Sequence, residues 1–376
     1  MTYKEATTYL FDSVPMFQNV GGTAYKEGLS NTLLLDEHFG HPHRKFRTIH
    51  VGGTNGKGSC SHTLAAILQT AGYKVGLYTS PHLTDFRERI RVNGKMIPEC
   101  EVVSFVEDER SFFEPLHPSF FELTTALAFK YFAKAEVDVA VIEVGMGGRL
   151  DCTNIITPDL SVITNISFDH VQFLGDTLTK IAGEKAGIIR PEVPVFFAQT
   201  APESDSVIEK TAEKEGCFCK KIGKDAYEIL GIEDKHIAFS CASAYYGTTT
   251  WKLNNIGTYQ PGNALLAMEV MRYLFKENGH PQEWRTALAR VKWAGRMEEI
   301  LPKVYVDGAH NVSAIQAFAR SVPKNPDGNI ILFSAVKDKE YEEMISYLCK
   351  HADAEEYVVT LIDGDRATDA HILGEL

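Results

Sequence analysis

The sequence contains no run of apolar residues approaching the ~18 that a membrane-crossing helix requires, so no membrane span is expected. Its opening, MTYKEATTYLFDSV, lacks the basic-then-apolar order of a secretory leader. Positive charge is in deficit: 38 Lys and Arg stand against 50 Asp and Glu, a formal balance of −12. That deficit disfavours a dedicated nucleic-acid binder, while a local basic funnel for an anionic substrate remains compatible with it. Cysteine is sparse and scattered, seven in 376 residues, and only Cys217 and Cys219 stand close together. One C-x-C without a second pair does not make a metal framework, so reduced thiols and a cytoplasmic protein are expected. No internal repeat or low-complexity tract is visible.

What is present is ordinary globular composition, 44% hydrophobic and 23% charged, in a chain long enough for two or three domains. Strand Thr48–Val51 is followed by a glycine-rich turn and a helical pattern in which Leu64, Ile67, Leu68 and Ala71 recur, with Gly72 as the stop. Val75–Tyr78, Val137–Val144, Leu160–Ile166 and Val193–Phe197 read as buried strands. Helices are expected over Phe121–Lys134 and about Thr177–Ile188. Near-continuous apolar strands alternating with helices predict a doubly wound α/β domain with a mostly parallel sheet. Cys217–Lys252 turns short and polar and predicts a small antiparallel appendage, before helix Pro261–Phe275. The first domain is expected to end near Trp293–Arg296, giving domains 1–295 and 296–376. In the second, strands Lys303–Val306, Ile330–Phe333 and Tyr357–Leu361 alternate with helices Ser313–Ser321 and Tyr341–His351. Three such strands can make one small sheet.

Gly52-Gly53-Thr54-Asn55-Gly56-Lys57-Gly58-Ser59 lies between a strand and a helix, where a phosphate loop belongs. Glycines let successive N–H groups turn toward phosphate oxygens, the helix terminus adds positive dipole, Lys57 neutralises β/γ charge, and a hydroxyl can reach a metal. The strict G-x-x-x-x-G-K-[ST] spelling fails, because Val51 takes the first glycine position and Gly58 separates Lys57 from Ser59. ATP is the expected ligand. Glu143, at the carboxyl end of an apolar strand, is costly as an ion unless paired or metal-bound. His170, taken alone, is a loop histidine, and Lys185, taken alone, a surface lysine.

Further motifs accompany the loop. They are Ser80-Pro81-His82-Leu83 with Glu88-Arg89-Ile90, Phe121-Glu122 with Thr125, and Glu143 to Asn154 (EVGMGGRLDCTN). Asp169-His170, Glu184 to Ile188 (EKAGI), Asn263-Ala264, Gly295-Arg296 and Asp307 to Asn311 (DGAHN) follow in order. Together these resemble the folylpolyglutamate synthase/dihydrofolate synthase family of Mur ligases. The resemblance implies a Mur-ligase-like P-loop ATPase domain plus a smaller Rossmann-like α/β C-terminal domain. It also implies an ATP-dependent ligase, a monomer, that adds L-glutamate to a folate or dihydropteroate carboxylate through an acyl phosphate.

By resemblance, Gly53, Thr54, Asn55, Gly56, Lys57, Gly58 and Ser59 cradle the nucleotide, with Asn263 on the adenine side and Arg296 on the phosphate side. Asp307 and His310 reach ATP or substrate across an interdomain cleft. Ser59, Ser80, Glu143, His170 and a carbamylated Lys185 hold two Mg²⁺ ions, and Lys57, His170, Lys185, Asp307 and His310 form the catalytic set. Imidazole is an unusual Mg²⁺ ligand, so His170 rests on the family alone. Arg149, Asp151 and Asn154 are read as a polar cluster near the pterin or the active-site entrance, with turn capping as the alternative for Asp151 and Asn154. Where this chain has Gly257-Thr258-Tyr259-Gln260, family members often carry histidine in place of Tyr259. Relatives continue some tens of residues past the position of Leu376, and Arg366–Leu376 reads as the start of a helix, so a truncated, looser second domain is expected. A P-loop kinase or GTPase and a non-catalytic nucleotide-binding remnant stay open as alternatives.

Overall fold

The computed structural model describes residues 1–12, 28–362 and 366–376. Strands β1 (Arg47–Gly52), β2 (Val75–Tyr78), β3 (Ile90–Val92), β4 (Lys95–Met96), β5 (Val139–Glu143), β6 (Leu160–Ile163), β7 (Val195–Ala198) and β8 (Cys219–Ile222) form one sheet. Its order is β4-β3-β2-β5-β1-β6-β7-β8, parallel from β2 to β8 with an antiparallel edge. Alternation along each strand sends successive side chains to opposite layers. Val139 and Val141 join Leu64, Ile67 and Leu265 of helices Lys57–Thr70 and Gln260–Phe275. Ala140 and Ile142 join Phe105, Leu127 and Phe129 of helices Glu99–Phe113 and Phe120–Lys134. Both faces are therefore covered, which is why these strands are apolar almost throughout.

β1 pairs with β5 on one side and β6 on the other. The chain leaves β1 toward β2 and later crosses from β5 to β6, so the strand order reverses around β1. The crevice at the carboxyl ends of β1, β5 and β6 is thus the switch point where α/β sheets bind ligands.

Three expectations are corrected. Leu160–Ile166 ends as a strand at Ile163, because Thr164 and Asn165 turn to bond the loop after β1. β7 begins at Val195, not Val193, since Pro194 has no N–H to give the ladder. The segment Cys217–Lys252 is divided: β8 extends the main sheet in parallel with β7, reached by helix Pro202–Lys214. Only β9 (Tyr227–Glu233), β10 (His236–Cys241) and β11 (Trp251–Leu253) make the antiparallel appendage, in order β11-β10-β9. The hairpin β3–β4 was not expected, although its Asn93-Gly94 turn, both at positive φ, is the signal for one.

The second domain contains β12 (Glu298–Leu301), β13 (Val304–Val306), β14 (Ile330–Phe333) and β15 (Glu356–Val359). β12 and β13 pair antiparallel and β14 and β15 parallel, as two separate two-stranded ribbons among the described residues, so the expected single three-stranded sheet is not what forms. Helices Val312–Ser321 and Tyr341–His351 close a small core of Ile315, Ala319, Met344 and Leu348. Alternation shows here too: Ile331 is 7% exposed while Ile330 and Leu332 are 67% and 66% exposed. The helix expected from Arg366 starts at Ala370, capped by Asp369, and Ala367 bridges Val336 first. Between helix Pro281–Arg290 and β12, Trp293 is buried and its indole Nε1–H donates to the Ser59 carbonyl at 3.1 Å.

Candidate active site

The loop after β1 is shaped by its glycines and by the turn after β6. Gly53 has φ +131°, and a Cβ there would stand 2.1 Å from Thr164 Oγ1; Gly56 has φ +87°, and its Cβ would stand 2.4 Å from Asn263 Oδ1. No L side chain fits either place without strain and a clash. Thr54 N–H donates to the Asn165 carbonyl (2.8 Å), Asn55 N–H to Asn165 Oδ1 (2.7 Å), and Thr164 Oγ1 to the Asn55 carbonyl (2.7 Å). Thr164 and Asn165 are scaffold residues that sequence reasoning missed; the signal was a polar pair directly after an apolar strand at the switch point. Helix Lys57–Thr70 points its N-terminus into the crevice.

Two lysines converge on one acceptor. Lys57 Nζ donates to the carbonyls of Gly53 (3.1 Å) and Thr54 (3.0 Å), and Lys185 Nζ donates to the Gly53 carbonyl at 2.8 Å. Lys185 is 4% exposed, so it is not a surface lysine. Burial, then the charge of Lys57, lowers its pKa to about 7 against the pull of Asp169 and Asp151. Glu143 is 3% exposed and its Oε2 accepts from Ser80 N–H at 3.0 Å. Burial raises it to about 6, tempered by Lys57, Ser80 and Arg296. His170 is lowered to about 4, chiefly by burial, which keeps the imidazole neutral.

The second domain supplies the opposite wall. Asn311 and Asn55 exchange side-chain amide bonds (3.1 and 3.0 Å), and Asn311 Nδ2 also donates to Asp169 Oδ2 at 3.1 Å. Lys339 Nζ donates to Asp169 Oδ1 at 2.5 Å, with His310 Nε2 3.6 Å from Oδ2. Burial opposes ionisation of Asp169, but the bond from His310 and the neighbouring positive charges outweigh it and hold the carboxyl far below its ordinary range. His310 donates Nδ1–H to the Gly308 carbonyl at 2.8 Å. Asp307 accepts from Tyr259 Oη–H, Met297 N–H and Ala309 N–H. Arg296 lies over Gly308, whose Cβ would meet Nη1 at 2.2 Å. Lys339, Asn311 and Tyr259 act at long range in sequence; Asn311 and Tyr259 stood in quoted motifs without a role, and nothing local announced Lys339.

One cleft of about 270 Å³ is lined by Thr54 to Ser59, Ser80, Glu143, His170, Lys185, Asn263, Arg296, Asp307 and His310. Gly53 lies just behind it. Arg149, Asp151 and Asn154 are not among its lining residues. Asp151 accepts from Met146 N–H and from Thr153, Asn154 donates to the carbonyls of Arg149 and Gly187, and Arg149 pairs with Glu184. The capping alternative describes Asp151 and Asn154.

Residues 51–271 match the Mur ligase middle domain and residues 295–375 the Mur ligase glutamate ligase domain. The chain belongs to the Mur ligase family. Within it, this Mur ligase is 39% identical over 341 residues to the dihydrofolate synthase/folylpolyglutamate synthase of Bacillus subtilis, covering 86% of this chain and 79% of the relative. It is 33% identical to the folylpolyglutamate synthase of Lacticaseibacillus casei over 93% of this chain and 83% of that one. The crystal structure of folylpolyglutamate synthase from Thermotoga maritima superposes with a TM-score of 0.81 at 33% identity, covering 99% and 86% of the two chains. An FPGS–AMPPCP–folate complex gives 0.82 at 30% identity, covering 94% and 88%.

Proposed function

We propose that this Mur ligase joins the amino group of L-glutamate to a carboxylate of dihydropteroate or of a folate, driven by ATP. The observation that carries the reading is the meeting, in one cleft, of the phosphate loop with Glu143, His170 and Lys185 from the first domain and Asp307 and His310 from the second. The substrate carboxylate attacks the γ-phosphorus of ATP, forming an acyl phosphate and releasing ADP. The glutamate amine then attacks the acyl carbon, loses a proton, and expels phosphate as the amide forms.

Lys57 leaves its carbonyl acceptors for the β/γ-phosphates, and the helix terminus behind it stabilises the same charge. Asn263, beside Gly56, is assigned to the adenine side, and Arg296 to the phosphates. Asp307 and His310 bring the second domain onto the nucleotide.

The donor set fits Mg²⁺. Glu143 is a buried carboxylate in the cleft, and hydroxyls of Ser59 and Ser80 and the neutral imidazole of His170 line the same space. Among the described residues no cluster of three His, Cys, Asp or Glu could hold a metal alone. Mg²⁺ ordinarily keeps several waters and takes oxygens from substrate phosphates besides one or two carboxylates. Two such ions, when bound, would neutralise charge on the transferred phosphoryl group. Lys185 is assigned to the second through a carbamate. The free-amine form that adds CO₂ is accessible near neutral pH because the group is buried.

We assign residues 1–295 to the ATPase domain and 296–376 to the glutamate ligase domain, in a monomer acting in the cytoplasm without nucleic acid or membrane. Among the described residues no helix is long and apolar enough to cross a membrane. The test offers ATP, glutamate and either dihydropteroate or tetrahydrofolate, with products read by mass. A gain of one glutamyl residue, with ADP and phosphate released only when all substrates are present, supports the reading. Phosphate release that ignores glutamate refutes it.

A further inference from the structure

The segment Asn255–Tyr259 precedes helix Gln260–Phe275 and holds the second domain at three points. Asn255 Nδ2 donates to the Arg296 carbonyl at 2.6 Å, Thr258 N–H to Ser321 Oγ at 2.9 Å, and Tyr259 Oη–H to Asp307 Oδ2 at 2.6 Å. Of these three, only the last is a bond between two side chains that both line the cleft.

Asp307 has two other donors, Met297 N–H to Oδ2 at 2.9 Å and Ala309 N–H to Oδ1 at 2.8 Å. Both lie close to it on its own domain and fix the carboxylate relative to β13. Neither fixes it relative to the nucleotide wall, and Tyr259 does. The ring itself has little freedom, because it packs on Gly257, where a Cβ would stand 3.0 Å from Tyr259 Cζ and 2.9 Å from Asn255 Oδ1. Asn255 Oδ1 in turn accepts from Gly257 N–H at 2.7 Å.

We propose that Tyr259 is a positioning residue that docks Asp307 of the second domain onto the nucleotide wall of the first, so that among the contacts joining the two this hydrogen bond is the one that ties the domain approach to the nucleotide subsite. This rests on the reading of Asp307 as a nucleotide-facing group. Burial first, and then the Asp307 charge, raise the phenol well above its ordinary pKa, so it stays a donor throughout the working range. A tyrosine here gives a donor that, unlike a histidine, does not change charge near neutral pH.

The test is a cycle of Tyr259→Phe, Asp307→Asn and the double variant. Affinity for AMPPCP is measured by calorimetry, with steady-state constants for each substrate and thermal midpoints alongside. A neutral donor to a carboxylate that is lost without a replacement weakens what it positions by about tenfold. Tyr259→Phe should therefore raise the nucleotide Kd and KM about tenfold, leave kcat and the glutamate KM within about twofold, and shift the midpoint by less than about 2 °C. Asp307→Asn should be at least as weak, and the double variant should be no worse than Asp307→Asn.

Unchanged nucleotide affinity in Tyr259→Phe, or losses that multiply in the double variant, would overturn the inference while leaving the ligase reading intact. Failure of the unmodified protein to bind AMPPCP would overturn both.

Discussion

Lys185 carries the most quantitative prediction. Its ammonium is 4% exposed and its pKa falls from 10.5 to about 7. At about 1.4 kcal/mol per decade, holding the charged form in the fold costs on the order of 5 kcal/mol. The unfolded chain binds this proton between pH 7 and 10.5 and the folded chain does not, so stability rises with pH across that window. The cost is complete below about pH 7 and absent above about 10.5. Lys185→Met keeps the length of the stem and removes the charge. The Gly53 carbonyl loses one donor but retains Lys57 at 3.1 Å, so no acceptor is orphaned. In CO₂-free buffer, urea unfolding of the first domain should show Lys185→Met stabilised by roughly 2–4 kcal/mol at pH 6, the gain shrinking toward zero by pH 10. Ligase turnover should be lost, and in Lys185→Ala a short carboxylic acid such as acetate should restore part of it. A destabilised Met variant, or a gain independent of pH, would refute the account of this site as a buried amine whose desolvation outweighs its partners.

Two other substitutions probe the phosphate loop. Lys57→Ala removes the loop's only charged side chain and leaves its backbone cradle; turnover should fall on the order of a hundredfold, with a much smaller loss of nucleotide affinity, as measured by initial rates and calorimetry. Gly53→Ala places a methyl group 2.1 Å from Thr164 Oγ1 at φ +131° and breaks the Thr164–Asn55 bond. Backbone strain plus a lost hydrogen bond should destabilise the first domain by about 3 kcal/mol and abolish nucleotide binding, and a thermal midpoint within about 2 °C of the parent would contradict this.

The elements that carry the candidate site were legible where the pattern is local. The phosphate loop, the buried end of β5 at Glu143 and the helix bearing Lys185 could all be read from residue types and their neighbours. Val75–Tyr78, Ile330–Phe333 and Tyr341–His351 fall where periodicity puts them. What stayed hidden depends on pairing at a distance. Cys219–Ile222 looks like any short polar strand until helix Pro202–Lys214 delivers it to the sheet edge. The second domain's strands gave no sign that β13 would pair with β12 rather than with β14, because strand pattern fixes faces but not neighbours. Lys185 was misjudged when read alone because burial is a property of the fold, and Tyr259, a mild change on paper, bonds across the cleft.

Trp293 gives the molecule an optical property. It is one of three tryptophans, and the other two, Trp251 and Trp284, pack against Tyr246 and Tyr245. Trp293 alone of the three has its indole N–H on the carbonyl of a phosphate-loop residue. Indole emission responds to the field along its ring, so Trp293 is a fluorophore wired to the first turn of helix Lys57–Thr70. In a Trp251→Phe, Trp284→Phe background, an emission change that saturates with AMPPCP would read loop occupancy without a label, and a flat titration alongside calorimetric binding would show that Trp293 does not feel the nucleotide.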